Sequence, residues 1–338
     1  MTTIRGIARL AGVSAAAVSM ALNGKDGISE TTRQRILECA RELNYVPSGS
    51  AQALKTRRSH TLGLVVGNLS NPYFTDIITA AEATARESGY NIFICDAGMD
   101  TGNAIRALRA LRSRGVDGIL FSLAWQLGAE LAAELDYLVR HGTSLVSLTP
   151  SVEHPRIQVF GFSDEAAMQA LLDRLVTLGH RHIAGIGGPA GGWMNNHRLR
   201  TFHDVLVGHG LYNGNLVAYT ELTIDDGREK ILRLLTDHPE ITALYCINDL
   251  VALGALQAAR LLGKAVPEEL SIVGSDGIPL VYFTTPAIAT IVTPRLEIGR
   301  AGTRCLLDII EGRLIPDGSV TTIACTCDYG ASMAQARV

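Results

Sequence analysis

The residues able to do chemistry in this chain gather at the ends of apolar, strand-like runs. Asp276 follows SIVGS, Asn248 and Asp249 follow TALYCI, and Tyr73 and Phe74 follow GNLSNP. Arg198 comes after a Gly-rich stretch that also holds Trp193. Open α/β sheets take their ligands at strand ends, so this set reads as hydrogen-bonding groups and flat rings around a small-molecule cleft. Plainer readings stand beside it. Asp249 suits a helix N-cap, Tyr73 or Phe74 suits an ordinary core, and Trp193 suits an exposed contact between subunits.

Catalytic and cofactor chemistry find less. No Ser-His-Asp or paired-carboxylate arrangement can be argued from spacing. Gly185-x-Gly187-x-x-Ala190 imitates a dinucleotide fingerprint. However, Pro189, Gly191 and Gly192 continue the loop where the helix must start, and no acid lies about 20 residues on at a strand end. His180 and His182 bracket Arg181 with no cysteine or carboxylate at ligand spacing, so they read as surface residues. Cys325 and Cys327 fall on the same side of one predicted strand; they read as reduced core thiols, with a redox switch as the alternative. The expectation is no catalytic residue, no metal and no cofactor.

The elements that must position these residues fall into two parts. The first sixty residues hold nine Lys or Arg against four acids, although the whole chain carries −3. A basic head on an acidic body points to a polyanion-binding module, with uneven solvated charge as the bland alternative. Within the head, Thr3 can cap a helix with Ile4, Ile7, Ala8 and Ala11 on one face, and Gly12 breaks it. Ser14 can cap a second helix that runs to Asn23-Gly24. Ser29 opens a third, with Ile36, Leu37, Ala40 and Leu43 as its buried stripe, and Pro47 ends the unit. Two short helices around a Gly turn, closed by a third, are the plan of a helix-turn-helix whose second helix enters the DNA major groove.

From Thr61 the chain alternates apolar runs with helical stretches. TLGLVVG, NIFICD, GILFS, TSLVSL, HIAGIGG, NLVAYT, TALYCIN and LSIVGSD read as buried strands of parallel sheets, too many for one small sheet. The chain has 338 residues, 47% of them hydrophobic and 19% charged, which excludes a disordered chain. No apolar run reaches the roughly 18 residues of a membrane helix. The N-terminus lacks the apolar region of a secretory signal, and six scattered cysteines show no CxxC. A reducing cytoplasm fits best, which for a DNA-binding protein means association with the nucleoid.

In combination these residues resemble the lactose-repressor (LacI/GalR) family of bacterial transcription regulators. The matching stretches are Thr3-Ile4 with IARLAGVS, Val18 to Gly24, ISETTRQRI, ELNYVPS and ALKTRRSHTLGLVV. They continue with NPYF, SRGVDGIL, LGHRHIAGIGGP, INDLVALGAL and LSIVGSDG, in family order over nearly the whole chain. The resemblance implies a helix-turn-helix head (1–47), a hinge (48–59) and a periplasmic-binding-protein-like core (60–338) of two α/β subdomains with parallel sheets. The first subdomain takes about 60–161 plus 292–322, and the second about 162–291 plus 323–338. The implied function is a ligand-responsive repressor, with a transport-type sugar-binding protein or an α/β enzyme as alternatives. Its partners are double-stranded operator DNA, a sugar or related metabolite, and a second copy of the chain, with no membrane.

The resemblance also assigns sites. Tyr73, Phe74, Phe162, Trp193, Arg198, Asn248 and Asp276 would line the effector pocket, the last three by hydrogen bonding. Ser14, Ala15, Ala16, Ser19, Met20 and Asn23 would face DNA, and the hinge would supply Ala51, Leu54 and Lys55, with Leu54 as a minor-groove wedge. Departures from the family pattern set this chain apart. Gly161-Phe162 stands where an acid is usual, Leu148 where a polar residue is common, and Gly192 and Met194 replace polar residues. The expected pocket is therefore unusually apolar, and the effector is left open. Ala15, Ala16 and Met20 replace hydrogen-bonding residues, so base reading in the major groove should be weak. The end at ASMAQARV, without leucine heptads, suggests a dimer rather than a tetramer.

Overall fold

The computed structural model describes residues 3–22, 24–45, 58–123 and 128–337. The chain divides into two compact units, Met1–Ser59 and His60–Val338.

Among the described residues of the first unit three helices form: α1 (Ile4–Ala11), α2 (Ala15–Leu22) and α3 (Glu30–Glu42). Each begins on a hydroxyl. Thr3 Oγ1 accepts from Gly6 N, Ser14 Oγ from Ala17 N, and Ser29 Oγ from Thr32 N. Gly12 ends α1 at φ +62°, a left-handed conformation that glycine adopts without a Cβ penalty. Ile7, Ala8, Ala11, Val18, Ala21 and Ile36 close the core together with Cys39 and Ala40. The α3 stripe departs from expectation: Cys39 is buried, while Leu37 and Leu43 are half-buried. Leu37 lies about 100° around the helix from Ile36 and so turns off the packed face. Arg33 ties α3 to the end of α2, donating to Lys25 O at 2.7 Å and Ala21 O at 3.4 Å.

The second unit alternates strands and helices. Its first stretch runs β1 (Thr61–Val66), α4 (Tyr73–Glu87), β2 (Asn91–Asp96), α5 (Thr101–Ser113), β3 (Gly118–Ser122), α6 (Ala129–Arg140), β4 (Ser144–Ser147) and β5 (Gln158–Ser163). A second stretch runs α7 (Glu165–Thr177), β6 (Ile183–Gly187), α8 (Trp193–Gly208), β7 (Val217–Tyr219), α9 (Ile224–Asp237), β8 (Ala243–Cys246), α10 (Asp249–Leu261), β9 (Ser271–Asp276) and β10 (Ala289–Val292). Then come α11 (Arg295–Ile310), β11 (Val320–Ala324) and β12 (Thr326–Asp328).

Two six-stranded sheets result, in the orders β11-β5-β4-β3-β1-β2 and β12-β10-β9-β8-β6-β7. All neighbours are parallel except β10 and β12. The chain passes between the sheets after Ser163, after Val292 and at Cys325, and β5 stays in the first sheet to its last residue, paired with Ala324. On its return, α11 packs on α4. A Cβ at Gly299 would stand 2.6 Å from Ile77 O, so the close approach of these helices requires glycine there.

Two strands expected to be buried lie at sheet edges. Among the described residues β2 pairs only with β1 and exposes Phe93 and Ile94, and β7 shortens to three residues, of which Val217 and Ala218 are half-buried and Tyr219 is exposed. A run of apolar residues marks a strand but not its place in the sheet. Among the described residues no single helix is long and apolar enough to cross a membrane.

Candidate functional site

Both sheets point strand ends at a cavity of about 510 Å3. From the first sheet side come Tyr73 and Phe74 at the start of α4, Ser122 at the end of β3, and Phe162 near the end of β5. From the second come Arg198 on α8, Asn248 after β8 and Asp276 at the end of β9. Six of the seven predicted pocket residues thus share one wall system. Trp193 does not: as the first residue of α8 its ring stacks on His197 at 5.1 Å and 5°, and it does not line the cavity.

Arg198 is the hub and is only 2% exposed. Its Nε donates to Asp164 Oδ2 at 2.7 Å, and its Nη1 donates to Ile247 O at 2.5 Å and Asp276 Oδ1 at 3.2 Å. Phe162 covers the guanidinium, whose carbon lies 5.7 Å from the ring centre. Nη2 is buried and has no hydrogen-bond partner among the described residues. Such a donor costs about 1–3 kcal/mol or more until something accepts from it.

Asp164 was not among the predicted residues. It stands just after β5, and its Oδ1 also pairs with His197 Nε2 at 2.9 Å. Burial alone would raise its pKa, but the Arg198 charge and the hydrogen bonds from His197 and Arg198 lower it to about 2. Its only signal in the sequence was an acid following a strand-like run. Asp164, Glu165 and His197 bring metal-capable atoms within 4.8 Å of one another, but the Asp164 oxygens are committed to Arg198 and His197. The polar residue missing at Leu148 is likewise one step along: Leu148 is core, and Thr149 reaches the cavity paired with Ser122 at 3.0 Å. Gly192 and Met194 both line the wall.

Asp276 adopts φ +115°, rare for a residue with a side chain and strained by about 1–3 kcal/mol. Its turn is held from two sides. Thr290 Oγ1 accepts from Gly277 N, and Asp249 Oδ2 accepts from Ile278 N at 2.7 Å while Oδ1 takes the Thr290 hydroxyl at 2.6 Å. From the other side Arg295 donates to Asp276 O and Gly277 O, and to Asp76 on α4 at 2.8 Å. Asp249 is therefore not the cap of α10. Asn248 fills that role by accepting from Val251 N, and Asp249 lies buried behind it. Burial, and then the Asp276 charge, hold the Asp249 pKa above the ordinary carboxylate range.

Two further readings change. His180 is not on the surface: it is buried between Thr242 Oγ1 and Ala334 O, and burial lowers its pKa. Cys325 and Cys327 are not on one strand, because β11 ends before Cys325 and β12 begins after it in the other sheet. Both thiols are free, and burial raises both, Cys325 to about 12.

In the first unit α2 exposes Ala15, Ala16 and Met20, with Ser14 exposed at its start and Ser19 half-buried, while Val18 and Ala21 pack inward. Asn23, Ala51, Leu54 and Lys55 lie outside the described residues.

A three-helix head of this pattern and a two-sheet body with a ligand-sized cavity at its strand ends define a class: a DNA-binding regulator that responds to a small molecule. A pattern described as bacterial regulatory proteins, lacI family, matches residues 3–48. One for periplasmic binding proteins and the sugar binding domain of the LacI family matches residues 59–329. The chain belongs to the LacI family, whose members are ligand-responsive transcriptional repressors and not enzymes.

It is 32% identical to the ribose operon repressor of Halalkalibacterium halodurans over 318 residues, covering 92% of this chain and 91% of that protein. It is 31% identical to the repressor CytR of Escherichia coli K12, covering 94% and 92%. A crystal structure of the lac repressor dimer bound to operator and the anti-inducer ONPF superposes with a TM-score of 0.87. That match covers 98% of this chain and 99% of the other at 22% identity, which speaks for the fold alone.

Proposed function

We propose that the chain works as a cytoplasmic homodimer that holds a palindromic operator through two copies of α2. In this reading a small metabolite, a sugar or sugar derivative, enters the cavity and changes DNA affinity. The single observation that carries the ligand half is Arg198 Nη2, a buried charged donor without a hydrogen-bond partner among the described residues, in a residue that lines the cavity. Arg198, Asn248 and Asp276 would hydrogen-bond the ligand, and Tyr73, Phe74 and Phe162 would offer it apolar faces.

The DNA half rests on α2. Its exposed Ala15, Ala16 and Met20 offer only apolar contact to base edges, so Ser14, Ser19 and the helix start would mainly hold phosphate. Contributions from Asn23, Ala51, Leu54 and Lys55 rest on the sequence resemblance. A dimer is supported by exposed apolar side chains on the short turn Pro279–Phe283, where Phe283 is 86% exposed beside Leu280 and Tyr282.

Selection of DNA from a random pool by the full chain tests this reading. A two-fold symmetric site should emerge, with two half-sites at the spacing of about one helical turn or a multiple of it. Enrichment of no site, or of a single unpaired half-site, would overturn it.

A further inference from the structure

We infer that Asp164, Glu165 and His197 form a site for a divalent transition-metal ion of the zinc kind. None of the three lines the cavity, so the site goes beyond the ligand reading above.

The fold brings the set together. Asp164 follows β5, Glu165 begins α7, and His197 stands one turn into α8. Spacing gives no hint of it, because the two acids lie more than thirty residues before the histidine. His197 Nε2 is 2.9 Å from Asp164 Oδ1 and 3.5 Å from Glu165 Oε1, and the three atoms fall within 4.8 Å of one another. An ion bonded at about 2.1 Å to each would see these two pairs at angles of roughly 90° and 110°, the octahedral and tetrahedral values. The Glu165 side chain is 54% exposed and closes the remaining gap by rotation. The exposed side of Glu165 and His197 also admits the water that completes the shell. Among the described residues no other three His, Cys, Asp or Glu side chains come this close.

The bond that commits Asp164 Oδ1 to His197 is one that an ion can replace. The dication takes the place of the shared proton, and the imidazole carries its single proton on Nδ1 instead. Asp164 Oδ2 stays with Arg198 Nε at 2.7 Å.

The surroundings suit such a site. A metal-bound carboxylate is itself hydrogen-bonded, and a ligating imidazole is held in one orientation. Arg198 fixes Asp164, and Trp193 stacks on the His197 ring at 5.1 Å and 5°. The stack gives Trp193 a part that the cavity does not. Charge agrees: Asp164, Glu165 and Asp276 set three carboxylates against the one guanidinium of Arg198, and a dication brings the cluster to neutrality. One imidazole nitrogen beside two carboxylates suits zinc, whereas magnesium and calcium take shells of oxygen.

Calorimetric titration of the full chain, first stripped with a chelator, tests the site with zinc chloride and magnesium chloride as probes. One Zn2+ should bind per chain with a Kd of about 100 µM or lower, and at least about 100-fold more tightly than Mg2+. Glu165→Gln and His197→Gln should each weaken Zn2+ at least about tenfold. Glu165 is exposed, so its variant keeps the test valid if the histidine variant folds poorly. His209→Gln removes a histidine that meets a lone acid, Asp173, at 2.6 Å, and should leave Zn2+ binding unchanged. A weaker Kd, a smaller preference over Mg2+, binding that Glu165→Gln or a folded His197→Gln leaves unchanged, or binding lost in His209→Gln would overturn the inference.

Discussion

Arg198 and Asp249 are buried charges handled in opposite ways. Arg198 has two carboxylates, and removing it leaves Asp164 buried with only a histidine for company. Arg198→Ala is expected to cost roughly 3–5 kcal/mol of stability in a denaturant titration. A loss below about 1 kcal/mol would mean the network is not formed. Asp249 makes no ion pair among the described residues: burial and the Asp276 charge outweigh its hydrogen bonds from Thr290 Oγ1 and Ile278 N and the more distant Arg198 charge.

The pH dependence follows from these two acids. The folded-state pKa of Asp249 lies above its unfolded value of about 3.9, so the unfolded chain gives up this proton first. Its effect is a loss of stability as pH rises from about 4 until the folded pKa is passed. Asp164 runs the other way: its folded pKa of about 2 adds stability above about pH 4, lost as pH falls through about 2. Asp249→Asn keeps one donor and one acceptor in place. Between about pH 5 and pH 8 the melting temperature of the wild-type chain should fall relative to that of this variant, while Asp164 stays ionised throughout. Parallel curves would show that Asp249 is ionised at both ends.

At the scale of elements, Arg295 joins three pieces that are far apart in sequence. It starts α11, reaches Asp76 on α4, and holds the turn that carries Asp276 at the end of β9. It does not line the cavity. Arg295→Ala should nevertheless weaken the tightest-binding sugar or sugar derivative about tenfold or more, since a hydrogen bond to a charged group is worth about 1.5–3 kcal/mol and the turn would lose two, at Asp276 O and Gly277 O. Unchanged affinity by calorimetry would mean the turn holds itself. None of this geometry was legible in the sequence, because it depends on which strand ends meet. What was legible was local. Thr3, Ser14 and Ser29 were readable as caps, and Gly12 as a turn, from residue type alone. The short strands β10 and β12 and the edge position of β2 were not readable, because pairing partners decide them. Asp164 was missed because the resemblance pointed two to three residues upstream, and a one-sequence reading cannot fix such an offset.

For the whole molecule, the proposed regulation would take two heads on one symmetry axis and a body that senses the ligand. Phe283→Asp should convert the proposed dimer to a monomer in sedimentation at micromolar concentration, and should weaken binding to a full palindrome far more than to a half-site. A dimer that survives this change would place the interface elsewhere. The sequence made the division into head and body legible through charge and helix caps, and it placed six pocket residues that the fold brings together. It did not reveal that Arg198 already meets two carboxylates. The most direct measurement is the affinity of the full chain for its selected DNA site, with and without a saturating amount of the tightest-binding sugar or sugar derivative. The account predicts a change of at least about fivefold, equal to roughly 1 kcal/mol of coupling, and its disappearance in Asp276→Ala. The same affinity with and without bound ligand would contradict it.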